Sequence, residues 1–474
     1  MNNDPMRIHL SLVSHTNIGK TTLARTLLSR DIGEVADRAH VTETTDDYVL
    51  ARTPEGCELI LWDTPGFGNS VALAKRLEGR ANPVGWFLSE VWDRVANKSL
   101  WLNQKALKHV KETSSVVLYL VNATELPDSA PYVTAEMRIL EWIGKPVLVL
   151  LNQMGEPKPP EAEQADVNRW KDAMSAYPIV SSVLPMDAFA RCWIQEFALF
   201  DAIAGALPEE LQATFDALRE VWSRKRRAAY NASIQAMAHY LEKLSNDREV
   251  AESASITDQL RFLGKRLGLF KNETMNDPIS AAQTALASRA ADEFCALTDK
   301  LIEINSLKGK GVKKELLRHL QSDWHISRDL PLTQTVAAGA IGTGAAGGLA
   351  SDIATGGLSM GLGTLIGTVV GALGGAGIAI AYNRKKETNG TVVAWSKVAI
   401  QNFFIDATLL YISVAHYGRG RGNWIESDSP QHWKGYVNSI ILAKTDDSDH
   451  FQTKFDAILR DLLYRLYSQE IKSQ

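Results

Sequence analysis

The chain has 474 residues, of which 45% are hydrophobic and 22% are charged, and its formal net charge is −4. This length exceeds one ordinary hydrophobic core, so two or three domains are expected, and the composition excludes a largely disordered chain. The small negative charge gives no electrostatic reason to expect nucleic acid as a partner. Three widely spaced cysteines form no metal-ligand pattern, which predicts a protein of the reducing cytoplasm.

Residues 1–205 alternate short apolar runs with segments of helical period, which predicts a mostly parallel sheet with helices on both faces. The predicted strands are RIHLSLVS, DYVLAR, ELILWDT, SVVLYLVNA, KPVLVLLN and YPIVSSV. Helices are predicted over residues 20–30, 133–143, 161–176 and 187–200. The stretch 80–112 is longer than an ordinary connection, so it predicts a helical insertion.

A phosphate-binding loop is predicted directly after the first strand. The run SHTNIGKT fits G-x-x-x-x-G-K-S/T, except that Ser14 replaces the first glycine. Gly19 allows the tight turn that points backbone N–H groups at phosphate oxygens, and Lys20 places a positive charge on the β- and γ-phosphates. Thr21 supplies a hydroxyl to Mg²⁺ at the start of a helix whose N-terminus faces the anion. An accidental match is the alternative for this imperfect motif taken alone.

A second motif, D-x-x-G, closes the apolar strand in LILWDTPGF. Here Asp63 would hold Mg²⁺ through water, and the backbone amide of Gly66 would contact the γ-phosphate. Two such motifs in this order, each directly after a strand, occur by accident far less often than either alone. Together they predict a Mg²⁺-dependent site for a nucleoside triphosphate.

With these motifs, the first half resembles a GTPase of the TrmE–Era–EngA type. Asn17 stands where such proteins often carry an Asn that helps to bind K⁺, with an ordinary turn residue as an equal alternative. The threonine pair ending at Thr45 resembles their switch I pair, whose second member closes on Mg²⁺ and the γ-phosphate. Phe67 follows D-x-x-G where Ras-like proteins place a water-orienting Gln, and GTPases without that Gln tend to use K⁺ and their own loops.

The resemblance implies GTP or GDP and Mg²⁺ as cofactors, with K⁺ as a further ion. The nucleotide-binding residues that it implies are Asn17, Ile18, Gly19, Lys20, Thr21, Thr22, Asp63, Gly66 and Asn152. The implied Mg²⁺ ligands are Thr21, Thr45 and Asp63, and the implied catalytic residues are Lys20 and Thr45. His15, in the phosphate loop, is expected to face solvent.

The base-binding motif departs from the family pattern N-K-x-D, in which Asn orders the loop and Asp accepts from guanine N1 and N2. The chain reads Asn152-Gln153-Met154-Gly155, so the guanine-reading Asp is absent, and Glu156 is a substitute only if the loop shifts. Loss of that carboxylate predicts weaker selection of guanine. The first half also resembles a little-characterised bacterial subfamily with a C-terminal domain of unknown function, in which this motif is often degenerate.

Beyond the first domain, the sequence predicts an all-α region in three parts. Residues 206–330 and 387–474 show helical period, and the basic run S-R-K-R-R is expected to be a solvated helix face. Residues 331–386 differ, since the stretch 334–382 holds 14 of the 33 glycines and one charge. Small residues every four positions predict a glycine-zipper helical hairpin.

This hairpin is interpreted as entering a membrane from the cytoplasmic side. Its second arm, residues 357–382, has the ~20 apolar residues that a span requires, and basic residues flank both ends. A soluble hairpin buried under the helical domain is the alternative. The expected partners are therefore guanine nucleotide, inner-membrane lipid, and a protein partner or a second copy of the chain.

The sequence as a whole predicts a GTP-hydrolysing nucleotide switch coupled to a membrane-associated helical module. The alternative is a nucleotide-binding scaffold with negligible turnover and a soluble, buried hairpin. A role in ribosome assembly like that of Era is less favoured, because the chain lacks a basic C-terminal RNA-binding module.

Overall fold

The computed structural model describes the residues 5–29, 46–89, 98–155, 158–188, 193–252, 278–307, 378–382, 390–416, 431–443 and 450–471. The chain divides into two compact units. The first consists of Met1–Tyr230, Ala415–Asn423 and Leu463–Gln474, and the second of Asn231–Val414 and Trp424–Leu462.

A six-stranded sheet organises the first unit. Its strands are β1 (Arg7–Ser14), β2 (Asp46–Arg52), β3 (Glu58–Asp63), β4 (Val116–Asn122), β5 (Val147–Asn152) and β6 (Val180–Pro185). They lie in the order β2-β3-β1-β4-β5-β6, with β2 antiparallel to β3 and the other pairs parallel. Strands β4 and β5 consist of Val and Leu apart from Tyr119 and the final Asn of each, as expected where both faces of a parallel sheet are buried. The predicted mostly parallel sheet is confirmed.

Helices cover both faces of this sheet, as the sequence predicts. They are α1 (Lys20–Leu28), α2 (Ser70–Leu77), α3 (Pro83–Ser89), α4 (Lys98–Thr113), α5 (Pro131–Ile143), α6 (Pro160–Met174), α7 (Trp193–Ala206) and α8 (Glu209–Asn246). Helices α2 to α6 bury one face around the fully buried Trp170. Helices α1 and α7 and the first part of α8 bury the other, where the rings of Phe200 and Trp222 stack at 4.2 Å.

One member of the basic run in α8 is not solvated. Arg224 is exposed, but the side chain of Arg226 is only 16% exposed and forms an ion pair with the fully buried Glu196 of α7. Arg226 also donates to Ser29 Oγ at 2.9 Å. The predicted solvated face is therefore wrong at Arg226, because this residue lies on the side of α8 that packs against α7 and the end of α1.

The second unit combines the remainder of α8 with further helices and a small sheet. The helices that follow along the chain are α9 (Pro278–Ile304), α10 (Lys397–Ala415), α11 (Gln431–Ala443) and α12 (Phe451–Ile471). The last residue of α10 and the part of α12 from Leu463 onward belong to the first unit. Aromatic rings fill the core of this unit. Phe404 stacks on Phe455 at a centroid distance of 4.0 Å, and Phe403 meets Trp395 edge-on at 5.1 Å.

The predicted helical region after the first domain is confirmed, but the prediction that it is purely α-helical is wrong. Strands β7 (Arg248–Glu252), β8 (Ile378–Tyr382) and β9 (Gly390–Trp395) form an antiparallel sheet in the order β7-β9-β8. Strand β8 occupies the end of the predicted second hairpin arm, and β9 opens the predicted C-terminal helical segment. Strands of five or six residues are too short to show a clear hydrophobic period. In addition, β7 is far in sequence from the strand with which it pairs.

The rest of the predicted glycine-zipper hairpin, residues 334–377, lies outside the described residues. In the part of the chain that the structure describes, no helix combines the length and the apolar character needed to cross a bilayer.

Candidate functional site

The two sequence motifs meet at the carboxyl ends of the parallel strands. Ser14 ends β1, Asp63 ends β3 and Asn152 ends β5, and these strands are neighbours or near neighbours in the sheet. Open α/β sheets bind their ligands at this edge. The hydroxyl of Thr21 donates to Asp63 Oδ2 at 2.5 Å, so the first residues of α1 and the D-x-x-G motif share one site.

The phosphate loop turns tightly between β1 and α1. Gly19 has φ +92°, and a Cβ at this position would lie 2.7 Å from the Asn152 amide nitrogen, so only glycine fits. Lys20 is buried, and its Nζ donates to Ser14 Oγ at 3.0 Å and to the His15 carbonyl at 3.5 Å. Burial lowers the pKa of the Lys20 ammonium, against the raising effect of the Asp63 carboxylate.

Oxygen atoms suited to a hard cation gather beside this ammonium. Burial raises the pKa of the Asp63 carboxyl, while the hydrogen bond from Thr21 and the charge of Lys20 lower it. Among the residues that the structure describes, Asp63 Oδ1 is buried without a hydrogen-bond partner, although a buried polar atom is normally paired. Mg²⁺ prefers carboxylate and hydroxyl oxygen, so this donor set fits the predicted ion.

The D-x-x-G segment lies directly against the phosphate loop. A Cβ at Gly66 would be 2.9 Å from Lys20 Nζ and 3.0 Å from Thr16 Cα, so this close approach requires glycine. The Phe67 amide donates to the Ser14 carbonyl at 2.9 Å, which fixes the segment to the end of β1. The Phe67 side chain is fully buried in the core on the α2–α6 side, so it contributes no polar group to the site.

Asn152 hydrogen-bonds to two other segments at the end of the site where a nucleotide base is expected. Its Nδ2 donates to the Ile18 carbonyl at 2.6 Å, and its Oδ1 accepts from the Ala188 amide at 2.8 Å. The predicted loop-ordering residue therefore connects the phosphate loop with the segment after β6. Gly155 stands at the position of the missing Asp, and its chain neighbours aside, no heavy atom of the described residues lies within 4 Å of where its Cβ would be.

A buried polar cluster behind the phosphate loop was not predicted from the sequence. Nδ1 of His15 lies 2.8 Å from Oε1 of Glu136, which is fully buried, and the Tyr119 hydroxyl donates to Oε2 at 2.7 Å. The His15 ring stacks on Tyr132 with the centroids 4.6 Å apart. The His15 side chain is 29% exposed, so the expected contact with solvent is only partial and the ring is held from the other side. The available signal was Glu136 itself, an acidic residue three positions after Val133 on the apolar face of α5.

The structure brings together nine of the predicted site residues at this edge. They are Asn17, Ile18, Gly19, Lys20, Thr21, Thr22, Asp63, Gly66 and Asn152. Thr45 and Glu156 lie outside the described residues. Sequence reasoning missed Asp187 as well, whose Oδ2 accepts from the Met154 amide at 2.8 Å.

The geometry agrees with a domain-level comparison. Residues 9–153 match the family described as 50S ribosome-binding GTPase. These residues form a P-loop GTPase domain. Residues 322–460 match a domain of unknown function, DUF3482. The predicted combination of a P-loop GTPase domain with a C-terminal domain of unknown function is thereby confirmed.

Solved structures similar to the chain include GTPases with bound nucleotide. Era from Aquifex aeolicus, a tyrosine-to-alanine variant bound to GDP and AlF4⁻, is 19% identical with a TM-score of 0.32, covering 43% of this chain and 58% of that one. Era with Mg-GDPNP and a segment of 16S ribosomal RNA is also 19% identical, with a TM-score of 0.32, covering 44% of this chain and 58% of that one. A bacterial selenocysteine-specific elongation factor is 14% identical, with a TM-score of 0.24, covering 45% of this chain and 29% of that one.

The chain therefore spans less than two thirds of the length of each Era protein to which it is similar. No curated protein sequence matches it.

Proposed function

We propose that the chain is a nucleotide switch in which the P-loop GTPase domain holds GTP at Lys20 and changes the position of the D-x-x-G segment on hydrolysis. The observation that carries this proposal is the convergence of Lys20, Thr21 and Asp63 at one sheet edge, with the Thr21 and Asp63 oxygens 2.5 Å apart. A buried ammonium beside a buried carboxylate suits a ligand that supplies phosphate to the first and a cation to the second.

In this proposal the reaction converts GTP and water to GDP and phosphate by in-line attack on the γ-phosphorus. Lys20 places its charge on the β- and γ-phosphates, and the Gly66 amide donates to the γ-phosphate. Thr21 and Asp63 would hold Mg²⁺, with Thr45 as a further ligand. When bound, Mg²⁺ would neutralise part of the negative charge on the phosphate oxygens.

The switch would act through the contact between Gly66 and Lys20. The Gly66 backbone lies so close to Lys20 that a Cβ on Gly66 would be 2.9 Å from Nζ. A phosphate group bound to the Lys20 ammonium would therefore also contact Gly66. Four residues later α2 begins at Ser70, so a shift of Gly66 on loss of the γ-phosphate is passed to a helix. This is the order–disorder logic of nucleotide switches.

The output of the switch is proposed to be the helical module with its glycine-rich stretch, in contact with the inner membrane from the cytoplasmic side. The support for this part is the sequence of residues 334–382, with its small-residue repeat and basic flanks. The net charge of −4 gives no support to RNA as the partner, although one similar Era structure contains ribosomal RNA.

A nucleotide-binding scaffold with negligible turnover is the second candidate. The fully buried Phe67 favours it, because the position after D-x-x-G then offers no group to orient water. K⁺ held beside Asn17 would compensate for that loss in the switch. Phosphate release by the parent protein in K⁺ and in Na⁺ separates the candidates, since the scaffold predicts negligible release in both.

The nucleotide site is tested by Lys20→Ala, with binding of labelled GTP and GDP as the measurement. We expect loss of tight binding, because the variant removes a buried positive charge from the β- and γ-phosphates. Lys171→Ala, on the exposed side of α6, is the matched control and should bind like the parent. Near-parental GTP affinity in a folded Lys20→Ala protein would contradict the proposal.

A further inference from the structure

The phosphate loop is attached to other segments of the domain near both of its ends. Toward its second end, Asn152 Nδ2 donates to the Ile18 carbonyl at 2.6 Å. At its first end, directly after β1, the ring of His15 is held by Glu136 of α5, with Nδ1 and Oε1 2.8 Å apart. The two attachments lie on opposite sides of the turn, so each one fixes a different part of the loop.

The attachment at His15 depends on a carboxylate that is fully buried. Oε1 of Glu136 lies against His15, and Oε2 accepts from the Tyr119 hydroxyl at 2.7 Å, so both oxygens are occupied. A carboxylate that accepts at both oxygens requires the imidazole hydrogen to be on Nδ1. Burying a carboxylate costs free energy that an apolar residue on the same face of α5 would avoid. This cost indicates that the cluster does more than pack α5 against the sheet.

The backbone of His15 lies where the phosphate loop meets the D-x-x-G segment. His15 forms a parallel bridge with Phe67, beyond the ends of β1 and β3. The His15 carbonyl also lies 3.5 Å from Lys20 Nζ. A Cβ on Gly66 would be 3.0 Å from the Cα of Thr16, the next residue of the loop. A shift of His15 would therefore move the backbone against which Gly66 lies.

We propose that Glu136 is a positioning residue for the γ-phosphate, which acts through His15 by fixing the loop backbone beside Gly66. This inference rests on the proposed GTP binding and adds a residue that favours GTP over GDP. The two nucleotides differ only in the γ-phosphate, and the Gly66 amide is the proposed contact to that group. Loss of the attachment at His15 should therefore weaken GTP binding specifically.

The β-phosphate should be less affected, because the other attachment of the loop is independent. Asn152 holds Ile18 through a hydrogen bond that shares no group with the attachment at His15. Ile18 directly precedes Gly19 and Lys20, so this part of the loop stays in place when only the attachment at His15 is removed. Affinity for GDP should consequently change much less than affinity for GTP.

The decisive variants are His15→Ala and Glu136→Leu, assayed for Mg²⁺-dependent binding of GTP and GDP to the full chain. Each removes the hydrogen bond between imidazole and carboxylate, and we expect the GTP-to-GDP affinity ratio to fall by about tenfold. The double variant should show no larger effect than either single variant, because both act through one contact. Glu141→Leu, at an exposed position of the same helix, is the matched control and should keep the parental ratio.

Conservative variants keep the inference testable if Glu136→Leu does not fold. In Glu136→Gln, the amide oxygen can accept from Tyr119, and the NH₂ group can donate to Nδ1 once the imidazole hydrogen moves to Nε2. His15→Asn keeps an N–H donor close to the place of Nδ1. Both variants should keep the GTP-to-GDP ratio within about threefold of the parental value. A purely structural role predicts instead that both affinities fall together with the free energy of unfolding, which urea titration of the ligand-free variants measures.

A parental GTP-to-GDP ratio in a folded His15→Ala protein would overturn the inference while leaving GTP binding intact. Equal losses of GTP and GDP affinity would overturn it too, as would additive effects in the double variant. A parent protein that binds neither nucleotide would instead refute the proposed function, so the two failures are distinguishable.

Discussion

At the scale of single residues, the phosphate site is defined by two opposite charges that the fold has desolvated. Burial lowers the pKa of Lys20 and raises that of Asp63, so each group is less stable in its charged form than it would be in water. Thr21 adds a hydroxyl to the same position. A ligand that brings both phosphate and a divalent cation would offset the desolvation cost of the Lys20 ammonium and of the Asp63 carboxylate. This explains why the two motifs belong to one site.

The ion ligands can be tested by Asp63→Asn and Thr21→Ala, with nucleotide binding measured across a Mg²⁺ titration. We expect the Mg²⁺ concentration needed for half-maximal nucleotide binding to rise by about 10–100-fold in each variant, because each one removes an oxygen ligand of the same ion. Thr21→Ser keeps the hydroxyl and should resemble the parent, as should Asp172→Asn on the exposed surface of α6. Titrations of the Asp63 and Thr21 variants that superimpose on the parent would refute the assignment.

Burial raises the pKa of Glu163, in the first turn of α6, and this has a consequence for stability. Its folded value of about 7 exceeds the unfolded value of 4.5, so the folded state binds the proton more tightly. The resulting stabilisation is fully present below pH 4.5 and is lost as the pH rises through 7. We therefore expect Glu163→Gln to flatten the free energy of unfolding between these values, as measured by urea titrations at several pH values.

The control for that experiment is Glu161→Gln, since Glu161 is an exposed carboxyl group in the same helical turn. Its stability profile should follow the parent's. A Glu163→Gln protein with the parental pH slope would mean that Glu163 ionises in the fold as it does in the unfolded chain.

At the scale of elements, α8 is attached to the sheet by a buried ion pair. Arg226 forms two hydrogen bonds of 2.8 Å with Glu196 of α7 and also bonds Ser29 and the Leu27 carbonyl at the end of α1. One side chain thereby connects α8 with α7 and with the helix that begins at the phosphate loop.

Removal of this arginine should be costly. Arg226→Ala removes the guanidinium that is ion-paired with the fully buried Glu196, and breaking a buried ion pair from one side typically costs about 3–5 kcal/mol. Arg224→Ala, two residues away in an exposed pair with Glu220, should cost about 0–1 kcal/mol. The measurement is urea unfolding followed by circular dichroism. Adding Glu196→Gln to Arg226→Ala should recover part of the loss, and equal effects of the two arginine variants would argue against a buried ion pair.

At the scale of the whole molecule, the question is how the glycine-rich stretch behaves. If the part of the stretch that precedes β8, residues 357–377, inserts into a bilayer, Val370→Arg should reduce the membrane-bound fraction, since a central arginine costs about 2.5–3.5 kcal/mol on insertion scales. Val370→Leu is the matched control and should fractionate like the parent. The measurement is partition of the full chain between soluble and membrane fractions, with and without detergent.

A second pair of changes separates packing from insertion. Leucine at both Gly367 and Gly371 should raise hydrophobicity yet separate the two arms, so it should increase protease cleavage of the stretch more than it changes membrane binding. A parent protein found wholly in the soluble fraction, with the stretch protected from protease, would favour the buried soluble hairpin.

Local sequence determined the features whose physics is contained in one continuous segment. A buried parallel strand needs an apolar run, and a phosphate loop needs Gly19 and Lys20 at fixed spacing, so strands such as β4 and β5 and the two motifs could be predicted directly. The same reasoning located Asn152 at the end of β5.

Tertiary structure decided the features whose partners come from distant segments. Asp187 lies beside Met154 because β5 and β6 are neighbours in the sheet, and Glu136 reaches His15 because α5 packs behind the phosphate loop. The small β7-β9-β8 sheet pairs short strands far apart in the chain. Burial and ion pairing depend on which segments meet in space, and a linear pattern of residue types does not contain that information.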